Sequence, residues 1–288
     1  MIAPDIAAVL VNFNAGPELR VALRSIADEC GSRPWEAVVV DNASTDGSER
    51  VAAEFGARVR LIQNTDNLGF GCGVNQGLAA TTAPLVLIMN PDCHLAPGAL
   101  TTLEAELLSG VTCGVVGPRI LDPDGSEQGS ARGDPDMLTG LFGRTSPLRR
   151  LLPRLAVSQR NVVAREAARD DTALTVDWLS GACMLARREA LAAVRGFDER
   201  YFLYWEDADL CRRLRAHGYA VRYAPMATAV HHVGHSSRTA QHSSIRAFHE
   251  SAYLYYATHV APGAFNPKRI AARVLLTARC WLKLVAAG

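Results

Sequence analysis

The sequence predicts an α/β fold in which a mostly parallel central sheet carries helices on both faces. Over the first hundred residues, short apolar runs alternate with segments of helical spacing. The runs are continuously apolar, as expected for strands buried on both sides. Several of them end in Asn or Asp, and sheets of this kind bind ligands at the carboxyl ends of their strands. We therefore expect a ligand site at that edge of the sheet.

The predicted elements follow the chain in order. Four apolar runs predict buried strands: Ile6–Asn12, Ala37–Asp41, Val59–Gln63 and Leu85–Met89. Four helices are predicted from apolar side chains at helical spacing and from glycines at the helix ends. They are Pro17–Cys30, Asp46–Phe55, a helix that begins with Gly73–Ala80, and Pro97–Leu108. The second half predicts extended segments at Thr175–Leu179, Val221–Tyr223 and Ala229–His232, and helices at Arg187–Val194, Glu206–Ala216, Ile245–His259 and Lys268–Ala286.

Composition limits the classes of protein that fit. The chain has 288 residues, 49% hydrophobic and 20% charged, so a large core can form. Its net charge of +1 argues against a strongly basic surface that binds nucleic acid, and we expect no nucleic-acid partner. No apolar run of about 18 residues predicts a membrane span, and no signal-peptide pattern is visible. Seven scattered Cys without a CxxC pair are typical of reduced thiols and predict a cytoplasmic protein.

The middle of the chain has a different character. Residues 122–147 are rich in Gly, Asp, Pro and Ser, and seven Arg follow between Arg144 and Arg169. We expect a mobile loop region over residues 121–174, near the substrate or a membrane. The alternative is a solvent-exposed surface loop that has no role in binding.

The segment from Asp41 to Ser48 joins a strand end to a helix start. Ser44 or Asp46 can cap the helix, and Gly47 eases the turn. As a functional alternative, Asp41 at the strand end can accept the imide N–H of uracil or thymine.

A glycine-rich segment precedes the next helix. Four Gly in the nine residues Gly69–Gly77 allow close approach of a backbone to a diphosphate. The spacing of Gly71, Gly73 and Gly77 is GxGxxxG, not the GxGxxG of a dinucleotide fingerprint, and it follows the third strand. A dinucleotide-dependent oxidoreductase is therefore disfavoured.

Acidic and imidazole side chains supply candidates for metal binding and proton transfer. Asp92 follows a buried strand through Asn90-Pro91, where it serves either as a turn residue or as a ligand of Mg²⁺ shared with substrate phosphates. Glu206 and Asp207 lie in the first turn of a predicted helix, whose dipole favours their ionised forms. His231 and His232 stand in a cluster with His235, so that a ligand role competes with a structural one.

Together these segments resemble family 2 inverting glycosyltransferases of the GT-A fold, especially bacterial rhamnosyltransferases. The resemblance covers about residues 6–260. The matching segments are Val11–Asn14, Asp41–Ser48, Asn67–Gly71 with Asn75, Asn90–Asp92, Trp178–Met184, Gly196–Arg213 and the HxxGxS pattern from His231. Asn90 replaces the first acid of the family's DxD metal motif, which leaves Asp92 as its one strong ligand.

The resemblance implies a Rossmann-like sheet and a set of roles. It implies that Asp207, with Glu206, supplies the catalytic base, and that Mg²⁺ or Mn²⁺ is held by Asp92 with His231 or His232. The implied donor-binding residues are Asn12, Asn14, Asp41, Asn42, Asn67, Gly69, Phe70, Asn75, Asn90 and Arg213. The implied acceptor-binding residues are Trp178, Gly181 and Trp205.

The same resemblance implies the substrates and the domain organisation. The donor is expected to be dTDP-L-rhamnose or a UDP-sugar (galactofuranose, N-acetylglucosamine or glucose), and the acceptor a glycan or a polyprenyl-diphosphate-linked sugar of cell-envelope polysaccharide synthesis. A non-catalytic nucleotide- or glycan-binding module is the alternative from another class. The expected GT-A domain spans residues 1–260, with a nucleotide-sugar half at 1–120 and an acceptor half at 175–260.

The last segment, residues 261–288, is predicted to form an amphipathic helix. At 100° per residue its five Lys and Arg side chains fall within an arc of about 140°, and the apolar side chains lie outside it. Either the helix lies on the inner face of the cell membrane as a peripheral contact, or it packs its apolar face on the domain.

Overall fold

The computed structural model describes residues 3–134, 172–232 and 241–287, and it has the predicted α/β architecture. Within these ranges a nine-stranded sheet forms the centre. Its strands are β1 (Ile6–Asn12), β2 (Trp35–Asn42), β3 (Val59–Asn64), β4 (Leu85–Met89), β5 (Cys93–Leu95), β6 (Cys113–Leu121), β8 (Leu174–Thr175), β10 (Cys183–Arg187) and β11 (Ala220–His231). The short strands β7 (Ala131–Arg132) and β9 (Trp178–Leu179) pair separately.

Helices cover the sheet and extend the chain beyond it. They are α1 (Glu18–Cys30), a 3₁₀ helix (Ser48–Arg58), α2 (Phe70–Ala79), α3 (Ala99–Leu108), α4 (Arg188–Ala193), α5 (Glu206–Ala216), α6 (Gln241–Tyr255), a π-helix (Tyr256–Val260) and α7 (Pro267–Val285). None of the helices in the described ranges combines the length and hydropathy needed to cross a bilayer.

The sheet is mostly parallel, in the order β3-β2-β1-β4-β10-β6-β11-β5 with β8 beside β11. The strands β1 to β4 are mutually parallel. Strand β10 runs antiparallel to both β4 and β6, and β6 is parallel to β11, so β6 and β11 share the direction of the first four strands. The carboxyl ends of β1, β2, β4 and β11 therefore all point to the same edge.

Two apolar layers lie on opposite faces of the sheet. Because side chains alternate along a strand, Ala8 and Leu10 of β1 join the layer beneath α1 and α3, whereas Val9 and Val11 join the layer beneath α2, α4 and α5. This packing on both faces explains the continuous apolar runs of the sequence.

Some boundaries differ from the sequence prediction. The predicted α-helix at 46–55 is a 3₁₀ helix kinked at Gly56, where φ is 61°. Helix α2 begins at Phe70, ahead of Gly73, because the Phe70 N–H bonds the Phe202 carbonyl at 3.0 Å and Gly69 makes the turn. The sequence analysis does not predict strands β5, β6, β7 and β10. The two extended segments at 221–232 form one strand, interrupted by a bulge between Ala224 and Thr228.

The C-terminal segment forms a helical hairpin. Helix α7 packs along α6, and Ala272 joins Tyr256 and Ala261 in a small apolar cluster. Of the predicted loop region 121–174, residues 135–171 lie outside the described part of the chain. The division into domains stays a prediction.

Candidate active site

Two buried side chains connect the ends of β1 and β2. Asn12 and Asp41 are 0% and 2% exposed, and the Asn12 amide donates to Asp41 Oδ1 at 2.7 Å. The same amide reaches the hydroxyls of Ser48 (2.8 Å) and Ser44 (3.1 Å). Asp41 Oδ2 accepts the backbone N–H of Ser44 at 3.0 Å. Asp41 is therefore oriented from both sides.

A second set of contacts continues this edge. Asn14 adopts a positive φ of 53° and accepts the Thr45 N–H at 2.8 Å. The buried Asn42 amide donates to Asn67 Oδ1 at 3.2 Å and to the Gly69 carbonyl at 3.1 Å. These contacts bring the strand ends and the glycine-rich turn into one continuous polar surface.

Two of the predicted donor-binding residues are engaged in contacts inside the protein. The Asn75 amide donates to the Phe197 carbonyl and accepts the Phe197 N–H, both at 2.9 Å. Arg213 pairs with Asp209 at 2.7 Å and donates to two carbonyl oxygens of the loop before Phe197. Both residues therefore hold the loop at 194–197 in place.

The predicted metal residues meet where β4 and β11 end. His231 Nε2 lies 3.1 Å from Asp92 Oδ1 and 3.2 Å from Asn90 Nδ2. The next residue, His232, is turned away, with Nδ1 3.8 Å from Glu18 Oε1. In the described ranges, no group of three His, Cys, Asp or Glu side chains is placed to hold a metal ion.

Asp207 presents its carboxylate at the start of α5. Its Oδ2 accepts the Gly181 N–H at 2.9 Å, and its Oδ1 accepts the Ala208 N–H at 2.8 Å. A Cβ added to Gly181 would lie 3.4 Å from the Asp207 Cβ and 3.5 Å from the Phe70 ring. The predicted base, acceptor turn and donor loop therefore converge on one point.

The two neighbouring acids of α5 differ in environment. Glu206 is buried, whereas Asp207 is partly exposed. Burial and the negative charge of Asp207 hold the pKa of the Glu206 carboxyl well above its usual range. Burial also raises the pKa of Asp207, and the N–H groups of Gly181 and Ala208 act in the opposite direction. Since the two charges repel each other, ionisation of one carboxyl raises the pKa of the other.

Aromatic side chains and strained backbone surround Asp207. Trp178 donates to the Gly133 carbonyl at 3.1 Å, and its ring lies 5.2 Å from the Arg132 guanidinium carbon. Tyr204 and Trp205 have positive φ values of 68° and 71°. Consecutive left-handed residues other than Gly cost free energy and are concentrated at functional sites.

Sequence comparison identifies the family. The profile of "Glycosyl transferase family 2" matches residues 7–195, and that of "Glycosyl transferase family group 2" matches residues 160–250. The chain belongs to glycosyl transferase family 2. A Mycobacterium tuberculosis relative, "N-acetylglucosaminyl-diphospho-decaprenol L-rhamnosyltransferase", is 36% identical over 86% of this chain and 83% of its own length. "Rhamnosyltransferase WbbL" of Escherichia coli is 37% identical over 33% of this chain and 35% of its own.

Solved structures agree with the GT-A fold of this glycosyltransferase. The mannosyltransferase PcManGT from Pyrobaculum calidifontis, solved with GDP-Man and Mn²⁺, has a TM-score of 0.59 at 18% identity and covers 100% of this chain and 74% of its own. GalNAc-T7, solved with UDP, GalNAc and Mn²⁺, has a TM-score of 0.62 at 15% identity and covers 90% of this chain and 52% of its own. The predicted enzyme class and fold are therefore confirmed.

The structure adds Gln128 and Arg132, which the sequence did not single out, and gives Asp209 a second partner. Gln128 contacts the ring of His231. Burial raises the pKa of Asp207, and the positive charge of Arg132 opposes that rise. Asp209 is 1% exposed and lies 2.6 Å from His259 Nε2 in the π-helix, so it ties α5 to the C-terminal hairpin. Gln128 lies in an irregular stretch and Arg132 in the two-residue strand β7, and no sequence spacing distinguishes either residue.

Proposed function

We propose that this glycosyltransferase transfers L-rhamnose from dTDP-L-rhamnose to a hydroxyl of a polyprenyl-diphosphate-linked sugar. The observation that carries this proposal is the similarity to the mycobacterial L-rhamnosyltransferase over 86% of the chain. The proposed role is in cell-envelope polysaccharide synthesis. A UDP-sugar is the competing donor, since uracil and thymine present the same imide N–H to Asp41.

The donor is proposed to bind along the polar edge of the first strands. Asp41 is held by Asn12 and by the Ser44 N–H, and each of its oxygens retains a lone pair for the imide of the base. Asn14, Asn42 and Asn67 shape the ribose and diphosphate end, and the turn at Gly69–Phe70 closes it. Asn75 and Arg213 support this surface from behind through the loop at 194–197.

The residues at Asp92 fit a divalent cation. A carboxylate oxygen suits Mg²⁺ and Mn²⁺, and an imidazole nitrogen beside it favours a transition-metal ion such as Mn²⁺ over Mg²⁺. Neighbouring ligands of an octahedral ion at about 2.1 Å lie about 3 Å apart. The separation of Asp92 Oδ1 and His231 Nε2 is 3.1 Å. We propose that Asp92 and His231 hold the ion and that Asn90 lines its site, while His232 stays outside. When bound, the ion offsets the negative charge that develops on the leaving nucleoside diphosphate.

Asp207 is proposed to act as the base. Its carboxylate takes the proton of the acceptor hydroxyl while that oxygen bonds to the anomeric carbon, and the bond from this carbon to the diphosphate oxygen breaks. Attack from the face opposite the diphosphate inverts the anomeric configuration. The pKa of the buried Glu206 carboxyl is raised by burial and by the charge of Asp207, so Asp207 is the carboxylate proposed to take the proton. Trp178, Gly181 and Trp205 form the acceptor side, where flat aromatic faces suit a sugar ring.

Ligand binding and transfer measurements test the donor. We expect dTDP-L-rhamnose with Mn²⁺ to raise the melting temperature more than UDP-sugars, GDP-mannose or NAD, because binding at about 100 times Kd stabilises a fold by about 2.7 kcal/mol. Transfer of labelled rhamnose to N-acetylglucosaminyl-diphospho-polyprenol is then expected. A larger shift and faster transfer with a UDP-sugar would replace the donor. Binding without any transfer would favour the non-catalytic module, and a shift with NAD alone would favour a dinucleotide enzyme.

The C-terminal helix is proposed to bind the membrane surface that holds such an acceptor. Its cationic side packs against the domain: the Arg269 and Arg273 guanidinium carbons lie 5.7 and 4.6 Å from the centre of the Tyr253 ring. Burial lowers the pKa of Arg279 on the same side. The apolar side is exposed in the described structure, and its large side chains are 42–63% accessible: Ile270, Val274, Leu275, Trp281, Leu282 and Val285. This exposure supports the membrane contact over the alternative in which α7 packs its apolar face on the domain.

A lipid surface suits this face better than a protein partner of neutral charge. At 100° per residue, the outward apolar side chains fall within an uncharged arc of about 140° that includes Trp281. Lys268 and Arg273 are exposed at its two margins, where they can meet anionic headgroups. The helix contains five Lys and Arg and no acid. Apolar residues with flanking cations are the features of helices that lie in anionic membrane interfaces.

Liposome flotation tests this contact with a matched pair of variants. We expect wild-type protein to float with vesicles of phosphatidylcholine and phosphatidylglycerol. We expect Val274→Glu to reduce partitioning about tenfold, since burying one Val contributes about 1.5 kcal/mol or more. Val111 is 87% exposed outside the helix, so Val111→Glu serves as the control and should float like wild type. Equal flotation of Val274→Glu and wild type would exclude the contact. A dimer that Val274→Glu dissociates, without flotation, would assign this face to a second copy.

A further inference from the structure

We propose that Gln128 is a positioning residue that sets the tautomer of His231 and aims its Nε2 at the ion held with Asp92. The inference rests on the metal role proposed above and adds a residue to it. Gln128 lies in the irregular segment after β6, and neither the sequence pattern nor the DxD-like motif points to it. Its importance follows from the geometry around its side-chain amide.

The amide of Gln128 has a defined orientation. Its nitrogen lies 2.7 Å from the His231 carbonyl oxygen and 2.8 Å from Asp122 Oδ1. Both of these atoms are acceptors, so they identify the NH₂ end of the amide. The other end, Oε1, lies 2.9 Å from His231 Nδ1. Since an amide oxygen only accepts, Nδ1 is the ring atom that carries the proton in this contact.

The proton on Nδ1 determines what the opposite side of the ring offers. In the neutral ring, Nε2 then presents its lone pair, and it faces Asp92 Oδ1 at 3.1 Å. A lone pair and a carboxylate at this distance repel each other, whereas a cation between them would be coordinated by both. Gln128 thus makes the Asp92–His231 pair a receptor for a positive ion. Such partners of a ligating His orient the ring and raise its basicity.

Gln128 is itself held in place by a compact turn. Its backbone N–H donates to the Ile120 carbonyl at 2.9 Å. The Asp122 N–H donates to the Ser126 carbonyl at 2.7 Å, and Gly125 makes the turn with a φ of 83°. The order of contacts is therefore a carboxylate (Asp122), an amide (Gln128), an imidazole (His231) and a second carboxylate (Asp92).

The first measurement uses titration calorimetry to determine the affinity for Mn²⁺ in the presence of dTDP. Gln128→Met keeps a chain of similar length but offers no amide oxygen to Nδ1. Loss of such a partner costs about tenfold to hundredfold in metal affinity, and we expect a rise of that size in the Kd of Mn²⁺. The control Gln63→Met replaces an exposed Gln of β3 and should leave the Kd unchanged.

The second measurement is independent of metal. In ¹⁵N NMR spectra of the metal-free protein, at a pH at which the ring is neutral, His231 should carry its proton on Nδ1 in wild type and show a mixture of tautomers in Gln128→Met. The double variant Asp122→Asn with Gln128→Glu keeps the net charge and restores an acceptor to Nδ1. It is expected to recover the tautomer and part of the Mn²⁺ affinity, which a purely structural role of Gln128 would not produce.

The outcomes separate this inference from the proposed function. Loss of Mn²⁺ affinity in His231→Ala but not in Gln128→Met would overturn the role of Gln128 alone. Unchanged affinity in both variants would remove His231 from the metal site and Gln128 with it. A wild-type ring protonated on Nε2 would contradict the inference directly. Rhamnosyl transfer that needs no divalent ion would overturn the metal role and leave the donor assignment standing.

Discussion

Replacing Asp207 by Asn is expected to lower kcat by about 10²–10⁴-fold, the usual contribution of a general base. In the wild-type protein the Gly181 N–H lies 2.9 Å from Asp207 Oδ2. The Asn amide has the same size and its oxygen can still accept this N–H, but it cannot take the proton of the acceptor hydroxyl. Because the donor residues lie at the ends of β1 and β2, the Kd of dTDP should stay within about twofold. Steady-state transfer and nucleotide titration measure the two effects separately.

A neighbouring acid provides the control for this variant. Asp198 pairs with Arg200 on the surface, and its replacement by Asn removes an ion pair of the kind that contributes about 0–1 kcal/mol. We expect Asp198→Asn to keep kcat near the wild-type value. Retained turnover in Asp207→Asn would remove Asp207 from the role of base, and a loss of dTDP binding in that variant would show that the damage extends to the donor site.

The pH dependence of the wild-type enzyme gives a further check on Asp207. Burial raises the pKa of this carboxyl, and the base works only in its ionised form. The value of kcat/KM should therefore rise with pH through an apparent pKa above that of an ordinary Asp, and it should fall on the acid side of that value. A profile that stays flat down to pH 4 would contradict a raised pKa of the base.

The second large effect is expected for Gly69→Ala, at the turn between the donor loop and α2. Gly69 has φ 88° and ψ 170°, a backbone region that is essentially restricted to Gly. An added Cβ would overlap the Phe202 carbonyl oxygen and lie 3.0 Å from the Phe202 Cα. The same carbonyl accepts the Phe70 N–H. The methyl group would therefore push the donor loop away from the loop that leads to Asp207.

Gly56→Ala is the matched control because it separates backbone strain from overlap. Gly56 has φ 61° and ψ −141°, and an added Cβ meets no atom within 4 Å. We expect Gly56→Ala to lower the free energy of unfolding by about 1–3 kcal/mol, with kcat/KM unchanged. Gly69→Ala should lose about 1–3 kcal/mol more and reduce kcat/KM. Urea denaturation and transfer assays measure both. An equal loss of unfolding free energy in the two variants would show that the Phe202 backbone moves aside without a measurable loss of stability.

The central strands and the order of the motifs could be predicted because local pattern determines them. Strands β1 to β4 are buried on both faces, and such strands appear as short apolar runs ended by polar residues. Strand β6 escaped prediction because Gly114, Gly117 and Pro118 interrupt its pattern, and only its neighbours β10 and β11 make it a strand. The 3₁₀ helix escaped because its form depends on the kink at Gly56.

The site shows the same division. Asp92 and Asp207 are predictable because each follows a recognisable element, a buried strand in one case and a helix start in the other. The partners that give them their chemistry come from distant parts of the chain: Gly181 donates to Asp207 across 26 positions, and Gln128 bonds His231 across 103. No local pattern records such contacts.

The amino-acid pattern is sufficient to predict the fold class, the enzyme family and which side chains of the last helix share a face. The orientation of those faces depends on the elements that pack against the helix. A helical repeat places the cations on one side and the apolar residues on the other, but it contains no information about the neighbour. In the folded protein the guanidinium groups of Arg269 and Arg273 contact the ring of Tyr253 in α6. Cations pack favourably on an aromatic face, so these contacts stabilise the orientation in which the apolar residues of α7 face outward.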